Sequence, residues 1–290
     1  MGKNRKDKFW ESGLDNNATY MQYYNRLVEL SISAFKWSGL PDSVDERYLE
    51  LVLFSDGQAV FFEDEELGYL TLQNAMNGGF NVYRIPKNRR AYSVNGYQKK
   101  LSEEDSVIIF NNMLHTNSRL DVSMFAKRLY NLDRIIDVNA NAQKTPLFIQ
   151  CSKPQELTLK NLYKEYTGNE PVIYSDTSLG QEPLRVLKTD APYVCDKIYE
   201  LKTKIWNEAL TYLGISNVSV EKKERLITDE VDRSQGGVLA SRYSRLISRQ
   251  QACKKINDMF GLDIWCEYRE DYNTDNEEDN NNESEGEGDE

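Results

Sequence analysis

The stretch DAPYVCDKIYELKTKIWNEALTYLG at 190–214 decides how the rest of the chain is read. Asp190 is a good N-cap, because its carboxylate can accept from unpaired N–H groups of a first helical turn. Pro192 falls inside that turn, where a missing N–H costs nothing. Val194, Ile198, Leu201, Ile205 and Tyr212 recur as one apolar stripe, and Gly214 supplies the stop. These signals predict a helix over 190–213, about 34 Å long at the usual helical rise.

Working outward, residues 116–140 carry a second helical pattern. Ser118 and Asp121 have the spacing of a capping box, and Phe125, Leu129, Leu132 and Ile136 follow at intervals of four, three and four. Between the two helices, 144–188 is broken by Pro146, Pro154, Gly168, Pro171, Gly180 and Pro183. It holds strand-like runs at 147–151 and 171–174 and a short helix near 158–166. Further upstream, a helix is predicted over 18–38 from Tyr20, Tyr23, Tyr24, Leu27, Leu30, Ala34 and Trp37, with a short one at 45–54. Five β-friendly runs at 59–62, 68–72, 80–85, 91–97 and 106–110 read as a small barrel or sandwich. Downstream, 232–245 reads as a loop, 246–260 as an amphipathic helix and 262–268 as a strand. The fold class is α+β.

Charge is unevenly placed. The chain has 290 residues, 36 Lys+Arg and 47 Asp+Glu, a formal charge of −11. Residues 270–290 hold eleven acids and no base. Removing those eleven from the 47 leaves 36 acids against 36 bases, so the body is neutral and the excess sits in one tail. The pI of 4.9 therefore says little against a nucleic-acid partner. The tail itself is too polar to fold alone. No run approaches the ~20 apolar residues of a membrane span, and MGKNRKDKFW lacks the apolar core of a secretory signal. A soluble intracellular body is expected.

Catalytic chemistry has little to stand on. There is no P-loop motif. The four cysteines lie far apart without a CxxC, so neither zinc nor any other metal or cofactor is expected. His115 is the only histidine and reads as a solvated loop residue. No enzyme is expected. Between Arg233 and Asn257 there are instead six bases (Arg233, Arg242, Arg245, Arg249, Lys254, Lys255) and no acid. Such a window suits phosphate contact, though taken alone it reads first as a solvated face that pairs with acids elsewhere. Lys197 and Lys204, seven apart, share a helix face.

Whole phrases add a resemblance. NANAQKTP at 139–146, GNEPVIY at 168–174, KTDAPYVCDK at 188–197, KIWNEALTYLGI at 204–215 and EKKERLITDEV at 221–231 closely resemble the portal, or upper collar and head–tail connector, protein of small short-tailed phages that prime replication with a terminal protein. The resemblance implies a twelve-fold ring at one capsid vertex, with a wing end, a narrow clip end and stem helices walling a channel for double-stranded DNA. On that pattern 1–17 is a flexible basic arm, 18–115 the wing with its small SH3-like β unit, and 116–143 the first stem helix. Residues 144–189 become the α/β clip, 190–214 the second stem helix, 215–269 a channel loop plus wing helix and strand, and 270–290 a disordered acidic tail.

The same resemblance assigns residues. Lys188 and Lys197 match the family's channel lysines. A channel loop at about 229–246 would include Arg233, Ser234, Gln235, Gly236, Gly237 and Arg242, and is shorter and more basic than the family's. Lys3, Arg5, Lys6 and Lys8 match the segment that docks a packaging motor and RNA. The implied partners are further copies of the chain, double-stranded DNA, capsid and scaffolding proteins, a separate packaging ATPase, packaging RNA and the lower collar or tail protein, within a virion assembled in the host cytoplasm. A nucleic-acid-binding module without a ring, or a virion assembly protein without DNA contact, are the other readings.

Overall fold

The computed structural model describes residues 3–76, 78–143, 147–150, 172–175, 184–186, 192–215 and 228–269. The predicted helix at 158–166 and the acidic tail lie outside them. The chain divides into two units, Met1–Lys127 with Trp206–Glu290, and Arg128–Ile205.

In the larger unit, α1 (Lys3–Ser33) leads into β1 (Phe35–Ser38), α2 (Glu46–Asp56) and five strands: β2 (Gln58–Asp64), β3 (Gly68–Met76), β4 (Asn88–Tyr92), β5 (Gln98–Ser102) and β6 (Ser106–Phe110). Two sequence expectations change here. The helix predicted over 18–38 begins at Lys3, so part of the arm expected to be flexible is helical; no proline interrupts 3–17. It also stops at Ser33, because Phe35–Ser38 pair antiparallel with Trp265–Tyr268 at the far end of the chain. Gly39 follows with φ +71, and a Cβ there would fall 2.0 Å from the Asp263 carbonyl oxygen.

The five strands form one antiparallel sheet in the order β5-β4-β3-β2-β6. Laid flat, its edge strands would stand roughly 19 Å apart. They are joined by residues 103–105 alone, a link that spans at most about 14 Å, so the sheet curls. Arg89 closes the curl: its guanidinium donates to the Pro86, Ser102 and Ser106 carbonyls and to Ser106 Oγ. The run 80–85, expected as a strand, is a turn. Asn81 Oδ1 accepts from the Tyr83 and Ile85 N–H groups at 2.9 and 3.0 Å and so competes with a β ladder. The polar strand QKKLS, unmarked by β propensity, forms instead because it pairs with β4 and buries Leu101.

The core beneath comprises Phe35, Trp37, Leu49, Val52, Leu53, Phe61, Val107, Ile109, Cys253, Ile256 and Ile264, all buried. Two helices contribute to both units. They are α3 (Arg119–Ala142) and α4 (Cys195–Leu213). The last helix, α5 (Thr228–Phe260), and β10 (Trp265–Tyr268) complete the larger unit. In the smaller unit β7 (Leu147–Gln150) pairs parallel with β8 (Val172–Ser175) and antiparallel with β9 (Leu184–Val186).

Candidate nucleic-acid interface

The start of α4 differs from the sequence expectation. Asn139 on α3 donates from its amide nitrogen to the Pro192 carbonyl at 2.9 Å and accepts the Val194 N–H at 3.0 Å. These bonds hold 192–194 outside the helix, which begins at Cys195 rather than near Asp190. Lys202 then bonds Asp133 on α3 at 2.5 Å. Lys197 is exposed on α4 and makes no ion pair among the described residues. Lys204 is also exposed but bonds Glu200 at 2.8 Å, the favourable acid-first order for an i,i+4 pair. Lys188 lies outside the described residues.

The capping box predicted at Ser118–Asp121 is not formed. The Ser118 N–H donates to the Phe54 carbonyl, and the Asp121 carboxylate accepts from the Tyr212 hydroxyl at 2.6 Å.

The basic window is rearranged most. The loop expected at 229–246 is part of α5. Only Gly236 and Gly237 oppose a helix there, while Val238, Arg245, Ser248, Arg249, Ala252, Cys253 and Ile256 supply its buried face. Of the six bases, three turn inward. Arg242 Nε donates to the Gly214 carbonyl at 2.7 Å and the guanidinium lies over the Tyr268 ring. Arg245 is buried, donates to Ser118 Oγ at 3.0 Å and lies over the Tyr212 ring. Arg249 is 1% exposed and pairs with Glu50 at 2.7 Å. It also donates to the Asn111 and Arg245 carbonyls and lies 3.8 Å from the Phe35 ring centroid. Burial works against the Arg249 charge, and the Glu50 carboxylate outweighs it.

Sequence reasoning missed Glu50 altogether. The signal was present: Arg249 stands on the same helical stripe as Ala252, Cys253 and Ile256, and Glu50 beside Leu49, Val52 and Leu53. The window's remaining described bases, Lys254 and Lys255, are exposed, as are Gly236 and Gly237. Arg233, Ser234 and Gln235 have only their backbone described, as do Lys3, Arg5, Lys6 and Lys8 at the start of α1.

α3 carries a second apolar stripe. Its buried face is Val122, Ala126, Leu129 and Leu132, yet Leu120, Met124, Ile135 and Val138 project from the opposite side at 71%, 57%, 48% and 63% exposure. His115 lies in the β6–α3 loop at φ +58 and stacks on the Phe110 ring at 3.5 Å. Burial, then the Lys255 charge, lowers its pKa. Among the described residues no group of His, Cys, Asp or Glu could hold a metal ion, and no helix is long and apolar enough to cross a membrane.

A family model described as Phage Connector (GP10) matches residues 3–273. The chain belongs to the phage connector family. The portal and tail of native bacteriophage P68 is similar in structure, with a TM-score of 0.51 and 16% identity over 92% of this chain and 90% of that one. At that identity the likeness speaks to the fold, which is that of phage portal proteins. A HK97-family portal protein from Corynebacterium diphtheriae has a TM-score of 0.44 and 11% identity, covering 88% of this chain and 93% of its own. The neck of an empty GTA particle has 0.43 and 10%, covering 87% and 80%.

Proposed function

We propose that twelve copies of this chain close into a ring at one capsid vertex and guide double-stranded DNA during packaging and ejection. The ring is a structural part without an enzymatic step, and a separate ATPase drives the DNA. On this reading α3 and α4 form the stem, the curled sheet with its flanking helices forms a barrel-like wing, and 144–189 forms the clip.

Family membership across 3–273 carries the reading. The second stripe of α3 supports it physically. A helix that buries one face and exposes Leu120, Met124, Ile135 and Val138 on the other has apolar surface left for a neighbour. A cyclic ring supplies that neighbour with one repeated contact. Lys188 and Lys197 would each repeat once per subunit as belts of charge facing the duplex. The arm bases Lys3, Arg5, Lys6 and Lys8 would dock the motor and any packaging RNA, the clip the lower collar, and the wing the capsid.

Native mass spectrometry with negative-stain imaging tests the ring. An annulus of about twelve copies whose axial hole is wide enough for B-form DNA is the expected result. A stable monomer at high concentration, or a solid or open assembly, would defeat it.

A further inference from the structure

Strands β4 and β5, NRRAY and QKKLS, carry four bases, and the pleat sorts them into two pairs. Arg89 and Lys99 share one face and are satisfied there. Arg89 is buried against backbone carbonyls, and Lys99 Nζ stands 3.1 Å from the Asp64 carboxylate. Arg90 and Lys100 share the other face. They stand directly opposite each other in the register, both are exposed, and neither pairs with an acid among the described residues. Like charges directly opposite on antiparallel strands destabilise a sheet, so this face holds positive charge that the fold does not neutralise. Arg84 and Lys87, also exposed, lead into β4 from the same connection. Among the described residues, the acids near this ribbon form no ion pair with Arg90 or Lys100. Asp56, whose charge Tyr92 feels together with that of Arg90, accepts from the Gln73 amide at 2.7 Å. Glu103 and Asp105 act on Arg89, on the other face.

A complementary anion lies on the same chain. The eleven unbalanced acids all follow Arg269, whose guanidinium is held by Glu46 at 2.6 Å. Their point of departure is thus fixed in the unit that contains β4 and β5. Twenty-one residues follow Arg269, a chain length that spans at most about 70 Å and so suffices to reach β4 and β5 within the same unit. We propose that the acidic segment 270–290 docks on the outward Arg90–Lys100 face of its own chain. It thereby covers with carboxylates a surface that would otherwise attract phosphates.

Carbodiimide coupling of the full-length protein, read by peptide mass spectrometry, tests this. Lys100 is expected to couple to tail carboxylates at least about fivefold more than Lys127 or Lys254, which are also exposed, and about 0.5 M salt should erase the difference. Arg90→Gln, which leaves Lys100 in place, should lower the coupling by about threefold. Equal yields at the three lysines, or no Lys100 product, would overturn the proposal. Mixing equal amounts of isotopically labelled and unlabelled protein before assembly identifies the source: products confined to one label support the same-chain contact, and mixed-label products at the statistical half contradict it. A duplex oligonucleotide supplies the remaining arm. Carboxylate masking predicts that duplex shields Lys100 from acetylation only when the tail acids are changed to amides. Equal shielding in the unchanged protein would make this face a nucleic-acid site instead.

Discussion

Arg249 shows how much one side chain can organise. Its guanidinium meets the Glu50 carboxylate with two donors, at 2.9 and 2.7 Å, and Glu50 also accepts from Trp37 Nε1 at 2.8 Å. The pair thus links α5, α2 and β1 inside the core. Arg249→Met leaves the Glu50 charge buried without its partner. We expect a loss of about 3–5 kcal/mol of stability, measured by urea denaturation. Replacing both ends with apolar residues of similar size should cost much less, since neither charge then remains to be solvated. Gly214 acts at the same scale. Its φ is +75, and a Cβ would lie 2.8 Å from the Tyr268 hydroxyl and 2.9 Å from Arg242 Cγ. Gly214→Ala should therefore destabilise by ~1–3 kcal/mol through backbone strain and displacement of Arg242, visible as a lower melting temperature.

At the scale of elements, α3 and α5 carry separate predictions. If the outer stripe of α3 meets a neighbouring copy, Ile135→Lys with Val138→Lys should abolish assembly and leave the protomer folded. Sedimentation reports the first and circular dichroism the second; assembly of normal size would refute the contact. In α5, nothing lies within 4 Å of a Cβ built on Gly236. Gly236→Ala should therefore raise helix stability by roughly 0.5–1 kcal/mol. If bending of this segment is used to hold packaged DNA, the same substitution will impair genome retention in filled heads while leaving packaging intact. Unchanged retention would refute that use of the segment.

For the whole molecule, the testable quantity is the charge that assembly repeats. Lys197 is exposed and unpaired among the described residues, and a ring would set one copy per subunit around the axis. If the proposed ring sets Lys188 and Lys197 facing the duplex, neutralising both should weaken its attraction for DNA, read as altered channel conductance or as altered DNA retention. No change in either measurement would remove their assigned role. The effect should be larger at low ionic strength, because the Debye length shrinks from about 30 Å at 0.01 M salt to about 10 Å at 0.1 M.

The outline of the molecule was legible from local signals. The cores of α2, α3 and α4, three of the five sheet strands and the strands at 147 and 172 announce themselves through periodicity, β-branched runs and glycine or proline stops; the run expected at 91–97 shares only its first two residues with β4, and the rest is the turn that follows it. The phrases at 139–231 carried the family. Tertiary structure decided what depends on distant partners. Phe35–Ser38 became a strand only because Trp265–Tyr268 lies beside it, and QKKLS only because it pairs with NRRAY. The loop expected at 229–246 became helix because Val238 and Arg245 found buried places across the unit. Three arginines that read as solvent-facing bases became core or capping groups for the same reason. Local sequence sets the periodicity of an element, whereas the worth of a charge depends on which acid, carbonyl or ring the folded chain brings to it.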